Sequence, residues 1–202
     1  MSISEAVQPF TLLHLGCGRK KTLEAIGLKL TQPDGTTVEN IKLVNLDRLA
    51  DVEPDVLCEL ATDRIDLPDD SIDAVLALHV LEHIGRQGEI DGWFHFWSEL
   101  YRVMKPGAYV RFECPHSSSV WCWADPTHVR AINEYCFLYL NQDAYRSAGS
   151  AIPDYRPNFD FELVACELIP DHTNEDVRAK EPISFIRGTL RARKPFRPYW
   201  AD

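Results

Sequence analysis

Apolar residues in this chain gather into short unbroken runs divided by turn-forming stretches, as strands buried on both faces do. The first run, Pro9–Leu15, stops at Gly16-Cys17-Gly18, and a helix-compatible segment, Lys21–Ile26, follows. Leu28–Glu39 alternates in polarity around Pro33-Asp34-Gly35 and predicts a β-hairpin inserted before the next core strand, Lys42–Asp47. A third strand is expected at Val56–Leu60. The turn-rich Leu67–Asp73 leads into a continuous apolar run, Ala74–His79, and the interval before that run has room for a helical turn. Ile90, Trp93, Phe94, Trp97, Leu100, Tyr101 and Met104 recur at helical spacing, which predicts an amphipathic helix closed by Lys105-Pro106-Gly107. Its aromatic residues read as core, and Ala108–Cys114 follows as another strand.

Strand and helix alternate up to that point, which predicts a parallel sheet covered on both faces. The tail differs. Phe159–Ile169 and Pro182–Arg193 are strand-like with only the loop Pro170–Glu181 between them, and strands joined without room for a helix pair antiparallel. The expected fold is α/β: a Rossmann-like, doubly wound, mostly parallel sheet with an antiparallel C-terminal strand pair, forming a single domain over 1–202.

Composition narrows the partners. The chain has 202 residues and a formal charge of -10, which argues against a broad nucleic-acid-binding face. Met1–Glu5 has neither a basic nor an apolar leader region, and the most apolar run, Ile72–Leu81, is half the length that spans a bilayer. Neither a secretory signal nor a membrane span is predicted. Six cysteines are scattered without Cys-x-x-Cys pairs, which fits free thiols in a reducing cytoplasm.

Three places carry candidate chemistry. At Gly16-Cys17-Gly18 the glycines let a ligand approach the main chain, and the helix start beyond favours an anionic group. Asp47, at the tip of the second strand, is placed to accept hydrogen bonds from ribose hydroxyls. The stretch after the fifth strand holds His116 and His128 as acid/base candidates, with Trp121 and Trp123 as walls of a ligand pocket. His79 and His83 flank Glu82 at helical spacing, but no third and fourth ligand appears at metal-site spacing, so no metal is predicted. The same holds for Cys114, His116 and Cys122. The basic run Arg191, Arg193, Lys194 and Arg197 reads as a solvated strand end.

In this order, Leu15-Gly16-Cys17-Gly18, Leu46-Asp47, Leu67–Asp73, His79-Val80-Leu81-Glu82-His83-Ile84 and Tyr101–Gly107 resemble the motifs of class I S-adenosylmethionine-dependent methyltransferases. The likeness extends from Thr11 to about His128. It implies a seven-stranded sheet and S-adenosylmethionine as cofactor. It places Gly16, Cys17 and Gly18 at the methionine and ribose part, Asp47 at the ribose, Glu59 and Leu60 at the adenine edge, and Leu78 and His79 under the sulfonium. The chain departs from the family pattern at His14, where an acid is common, and at Lys20, where a third glycine is common. Arg19 or Lys20 then stands near the cofactor's carboxylate. The implied activity is methyl transfer to an acceptor that the sequence does not name, with a small molecule or saccharide favoured; the oligomeric state is left open. Two other readings remain at this point. One is a non-catalytic partner module that keeps the nucleotide cleft, suggested by the short segment ahead of the first strand. The other is an NAD-dependent oxidoreductase, disfavoured because Lys21 stands where its fingerprint needs glycine.

Overall fold

The most apolar strands occupy the middle of the sheet. The computed structural model describes residues 8–29, 36–170 and 183–201. Strands β1 (Phe10–Leu15), β2 (Ile41–Asp47), β3 (Val56–Leu57), β4 (Ile72–Leu78), β5 (Met104–Pro115), β6 (Phe161–Ile169) and β7 (Phe185–Ala192) form one seven-stranded sheet in the order β3-β2-β1-β4-β5-β7-β6. Strands β1 to β5 pair in parallel, while β7 runs antiparallel to both β5 and β6. The antiparallel terminal pair is therefore as expected. β1 and β4 bury Leu12, Leu13, Leu15, Val75, Leu76 and Ala77, as central strands covered on both faces must.

Helix α1 (Leu23–Ile26) follows β1; the Thr22 hydroxyl accepts from the Ala25 N–H, and Gly27 closes the turn in a left-handed conformation. Helix α2 (Asp91–Val103) presses Trp93, Phe96, Trp97, Leu100 and Tyr101 into the core, with Trp97 and Tyr101 edge-on to Phe161 of β6. Two short helices, α3 (Val120–Ala124) and α4 (Gln142–Ala148), lie between β5 and β6.

Several boundaries differ from the sequence pattern. The third strand stops at Leu57: the Cys58 N–H makes the last bond to β2, at the Asp47 carbonyl, and the Glu59 N–H turns away to the Asp63 carboxylate. The interval before β4 does hold a single helical turn, Glu59–Asp63, in which the Glu59 carbonyl accepts from the Thr62 and Asp63 N–H groups. β4 ends before His79, whose φ of +55° breaks the extended backbone. The turn expected at Lys105-Pro106-Gly107 lies inside β5: Met104 already pairs with Ile72, and pairing resumes at Ala74 with Tyr109. Half of the hairpin predicted over Leu28–Glu39, its turn included, and nearly all of the loop Pro170–Glu181 fall outside the described residues. Arg191, Arg193 and Lys194 are not merely solvated but pair with Glu162, with Asp143 and Asp160, and with Asp70. All six cysteines are free, and no helix among the described residues is long and apolar enough to cross a membrane.

Candidate active site

The carboxyl ends of β1, β2 and β4 meet at one edge of the sheet. Gly16 leaves β1 at φ +58°, and a Cβ there would lie 2.7 Å from Val80 Cγ2, so the turn closes only around glycine. Gly18, at φ +50°, has open space where a side chain would begin. Its N–H donates to Asp47 Oδ2 at 2.9 Å, while the Leu49 N–H donates to Oδ1 at 3.0 Å. Asp47 thus ties the two strand tips together. Each oxygen still has a second lone pair, and the residue forms part of the wall of a cleft of about 250 Å³.

Gly16, Asp47, Glu59, Leu60 and His79 all line this cleft. Cys17, Gly18 and Leu78 lie beside it without forming its wall. Arg48, Leu49, Val80, His83, Ile84 and Thr127 also line it and were not anticipated. Leu49 is 56% exposed at its rim, and Arg48 reaches Glu59 at 3.5 Å across the opening. The only advance signal for Leu49 is its place two residues beyond the acidic strand tip. His14 is buried below the glycine turn, where desolvation lowers its pKa. Arg19 and Lys20 are exposed beside the turn.

His79 borders a second cavity of about 510 Å³, walled by Pro115, Trp121, Asp125, His128 and Phe185. Its left-handed backbone is held by an N–H bond to the Glu113 carbonyl at 2.8 Å. The imidazole lies 3.5 Å from Glu82 Oε1 and 3.8 Å from Glu113 Oε1, edge-on to Phe185. The Glu82 carboxylate, helped by Glu113, raises its pKa against the opposing effect of burial.

The stretch after β5 is divided. His128 and Trp121 reach the second cavity. His116 does not: its backbone bridges to Ile132, and its ring is held by Ser118 and Glu134. Trp123 turns outward, 69% exposed, with its ring N–H on the Ser117 carbonyl.

A doubly wound sheet with a glycine turn, an acidic tip on the next strand and a cleft across both defines a nucleoside-binding α/β domain. Comparison with known proteins narrows the class. The family model described as "Methyltransferase domain" matches residues 13–112. Among solved structures, an S-adenosylmethionine-dependent methyltransferase from Archaeoglobus fulgidus is similar over 91% of this chain and 86% of its own, with TM-score 0.53 at 19% identity. Another from Mesorhizobium loti is similar over 92% of both chains, with TM-score 0.53 at 14% identity. The 1,6-didemethyltoxoflavin-N1-methyltransferase of Burkholderia thailandensis, solved with S-adenosylhomocysteine bound, matches over 93% of this chain and 72% of its own, with TM-score 0.51 at 14% identity. Among curated proteins no sequence matches significantly. The chain belongs to the class I S-adenosylmethionine-dependent methyltransferases.

Proposed function

We propose that this methyltransferase acts on a hydroxyl-bearing small molecule or saccharide, seated in the cavity beyond His79. Methyl transfer from a sulfonium is an in-line displacement at an activated carbon, so the protein's main task is to hold donor and acceptor in line. In this reading the glycine turn carries the methionine and ribose part of the cofactor, with Arg19 or Lys20 near its carboxylate. Asp47 accepts from the ribose hydroxyls, and Leu49 and Leu60 sandwich the adenine beside Glu59.

The observation that carries the reading is that His79 lines both the nucleoside cleft and the second cavity. A methyl group delivered past His79 enters a space walled by the aromatic rings of Trp121 and Phe185. Flat apolar walls suit a sugar ring or a planar ring, and the imidazoles of His79 and His128 at its border give a hydroxyl-bearing acceptor polar groups to meet. His116 and Trp123 take no part in this reading.

Titration calorimetry with S-adenosylhomocysteine tests the cleft, and transfer of a labelled methyl group to a panel of phenols, sugars, amines and peptides tests the acceptor. Binding with transfer to hydroxylated small molecules supports the reading. Transfer to peptides alone overturns the acceptor class.

A further inference from the structure

Three side chains converge where the two cavities meet. Glu82 and His83 belong to a single 3₁₀ turn, Leu81–His83, and His128 returns from the stretch after α3. One ligand-capable atom from each lies within 4.8 Å of the others. The Glu82 side chain is 1% exposed, and neither carboxylate oxygen receives a hydrogen bond among the described residues. The nitrogens facing Oε1 are His79 Nδ1 at 3.5 Å and His128 Nε2 at 3.9 Å, too far for good hydrogen bonds. A carboxylate so fully removed from water is strongly disfavoured unless a cation or a proton meets it.

Both imidazoles are already oriented to serve as ligands. His128 Nδ1 lies 3.1 Å from the Cys122 carbonyl oxygen, and His83 Nδ1 lies 3.1 Å from that of Thr127. A carbonyl only accepts, so in the neutral ring each Nδ1 carries the proton and Nε2 the lone pair. Metal-binding histidines are held in this way, with one ring nitrogen fixed by an acceptor and the other turned to the ion. Asp125 adds a fourth candidate. Its Oδ1 is held by the Thr127 N–H and hydroxyl, while Oδ2 stands 3.8 Å from His128 Nε2.

We infer that Glu82, His83 and His128 bind a divalent transition-metal ion in the wall shared by the nucleoside cleft and the second cavity. Two imidazoles and a carboxylate suit zinc, iron(II), manganese(II) or cobalt(II), and this donor set leaves positions open for an outside ligand. His83 lines the cleft and His128 the second cavity, so the ion borders both.

Its role, which rests on the acceptor reading above, is to hold a hydroxyl of the acceptor. Coordination acidifies that hydroxyl. The O–H bond breaks, with the proton passing to water in the open cavity. The oxygen lone pair then forms a bond to the methyl carbon as the carbon–sulfur bond breaks and its electron pair returns to sulfur. The products are a methyl ether and S-adenosylhomocysteine, and the ion is unchanged.

The untagged protein, stripped with chelator and titrated with cobalt(II), zinc and manganese(II), tests the site. One ion per chain is expected, with visible cobalt absorption bands and a raised melting temperature. Glu82→Gln and His83→Ala should each weaken binding by at least about a hundred-fold. His83 is partly exposed, so its variant is expected to fold even where the buried Glu82→Gln does not, and circular dichroism checks both. S-adenosylhomocysteine binding is measured on the same stripped samples, so a failure of the cofactor reading shows separately from a failure of the metal site. Absence of stoichiometric binding by the folded wild type, or equal affinity in His83→Ala, overturns the site. Methylation of hydroxyl acceptors that is unaffected by metal removal overturns its role.

Discussion

Replacing Asp47 with asparagine perturbs the nucleoside cleft with little change of shape. The residue is 8% exposed, and its carboxylate accepts one backbone N–H at each oxygen, from Gly18 and from Leu49. Asparagine offers a single oxygen, so one of those N–H groups would face the amide NH₂ instead. Loss of a hydrogen bond to a charged acceptor, with the donor left unpaired, costs about 1.5–3 kcal/mol. At about 2 kcal/mol the melting temperature falls by about 4–8 °C for a chain of this size. The same change removes a charged acceptor from the ribose. One such bond corresponds to about a 10- to 100-fold weaker affinity for S-adenosylhomocysteine. Calorimetry at a temperature where both proteins are folded measures the second effect, and a thermal melt measures the first. A 2′,3′-dideoxy analogue of the ligand separates them: it should bind wild type with the same deficit and the variant with no further loss. If the variant melts lower yet binds S-adenosylhomocysteine within threefold of wild type, Asp47 is a strand-tip fastener and not the ribose acceptor.

Three further outcomes follow from the packing. Gly16→Ala should destabilise the fold by about 1–2 kcal/mol from its left-handed backbone and by about 1–3 kcal/mol from the clash with Val80; adding Val80→Ala should relieve only the second part in urea unfolding. Burial pushes the Glu99 carboxyl up, but bonds from Arg102 and the Ile65 N–H hold it below its ordinary value. A carboxyl lowered in the folded state stabilises above its unfolded pKa of about 4.3, and that contribution is lost as pH falls through the folded value. Urea midpoints measured down to about pH 3 should therefore decline less steeply in Arg102→Gln than in wild type; an unchanged acid limb refutes the link. Of the six thiols, only Cys166 is exposed, so a disulfide reagent should modify one cysteine quickly in the native protein, and Cys166→Ser should abolish that fast phase.

What could be read in advance was whatever short-range chemistry fixes. Continuous apolar runs marked β1, β2 and β4, the glycines marked the first turn, and the absence of helix-length sequence before β7 marked the antiparallel pair. Asp47 stood out as the carboxylate that ends a buried strand beside the glycine turn. What escaped depends on contacts between distant segments. β3 stops early because the Glu59 N–H turns to the Asp63 carboxylate instead of to β2. His116 and Trp123 sit among residues as polar and aromatic as those around His128 and Trp121, and only the bridge to Ile132 and the bond to Ser117 turn them away. Glu82 and His83 alone are too few for a metal, and their spacing does not reveal that His128 returns to meet them.

Phe185, which faces His79 in the second cavity, comes from the start of β7, where it pairs with Pro115 at the end of β5. In the proposed reading the nucleoside cleft is built mainly at the tips of β1, β2 and β4, while part of the acceptor chamber comes from β7. Selection can reshape that chamber by altering one late hairpin while the donor-binding half stays untouched, a division that lets a single scaffold diversify its chemistry piecemeal.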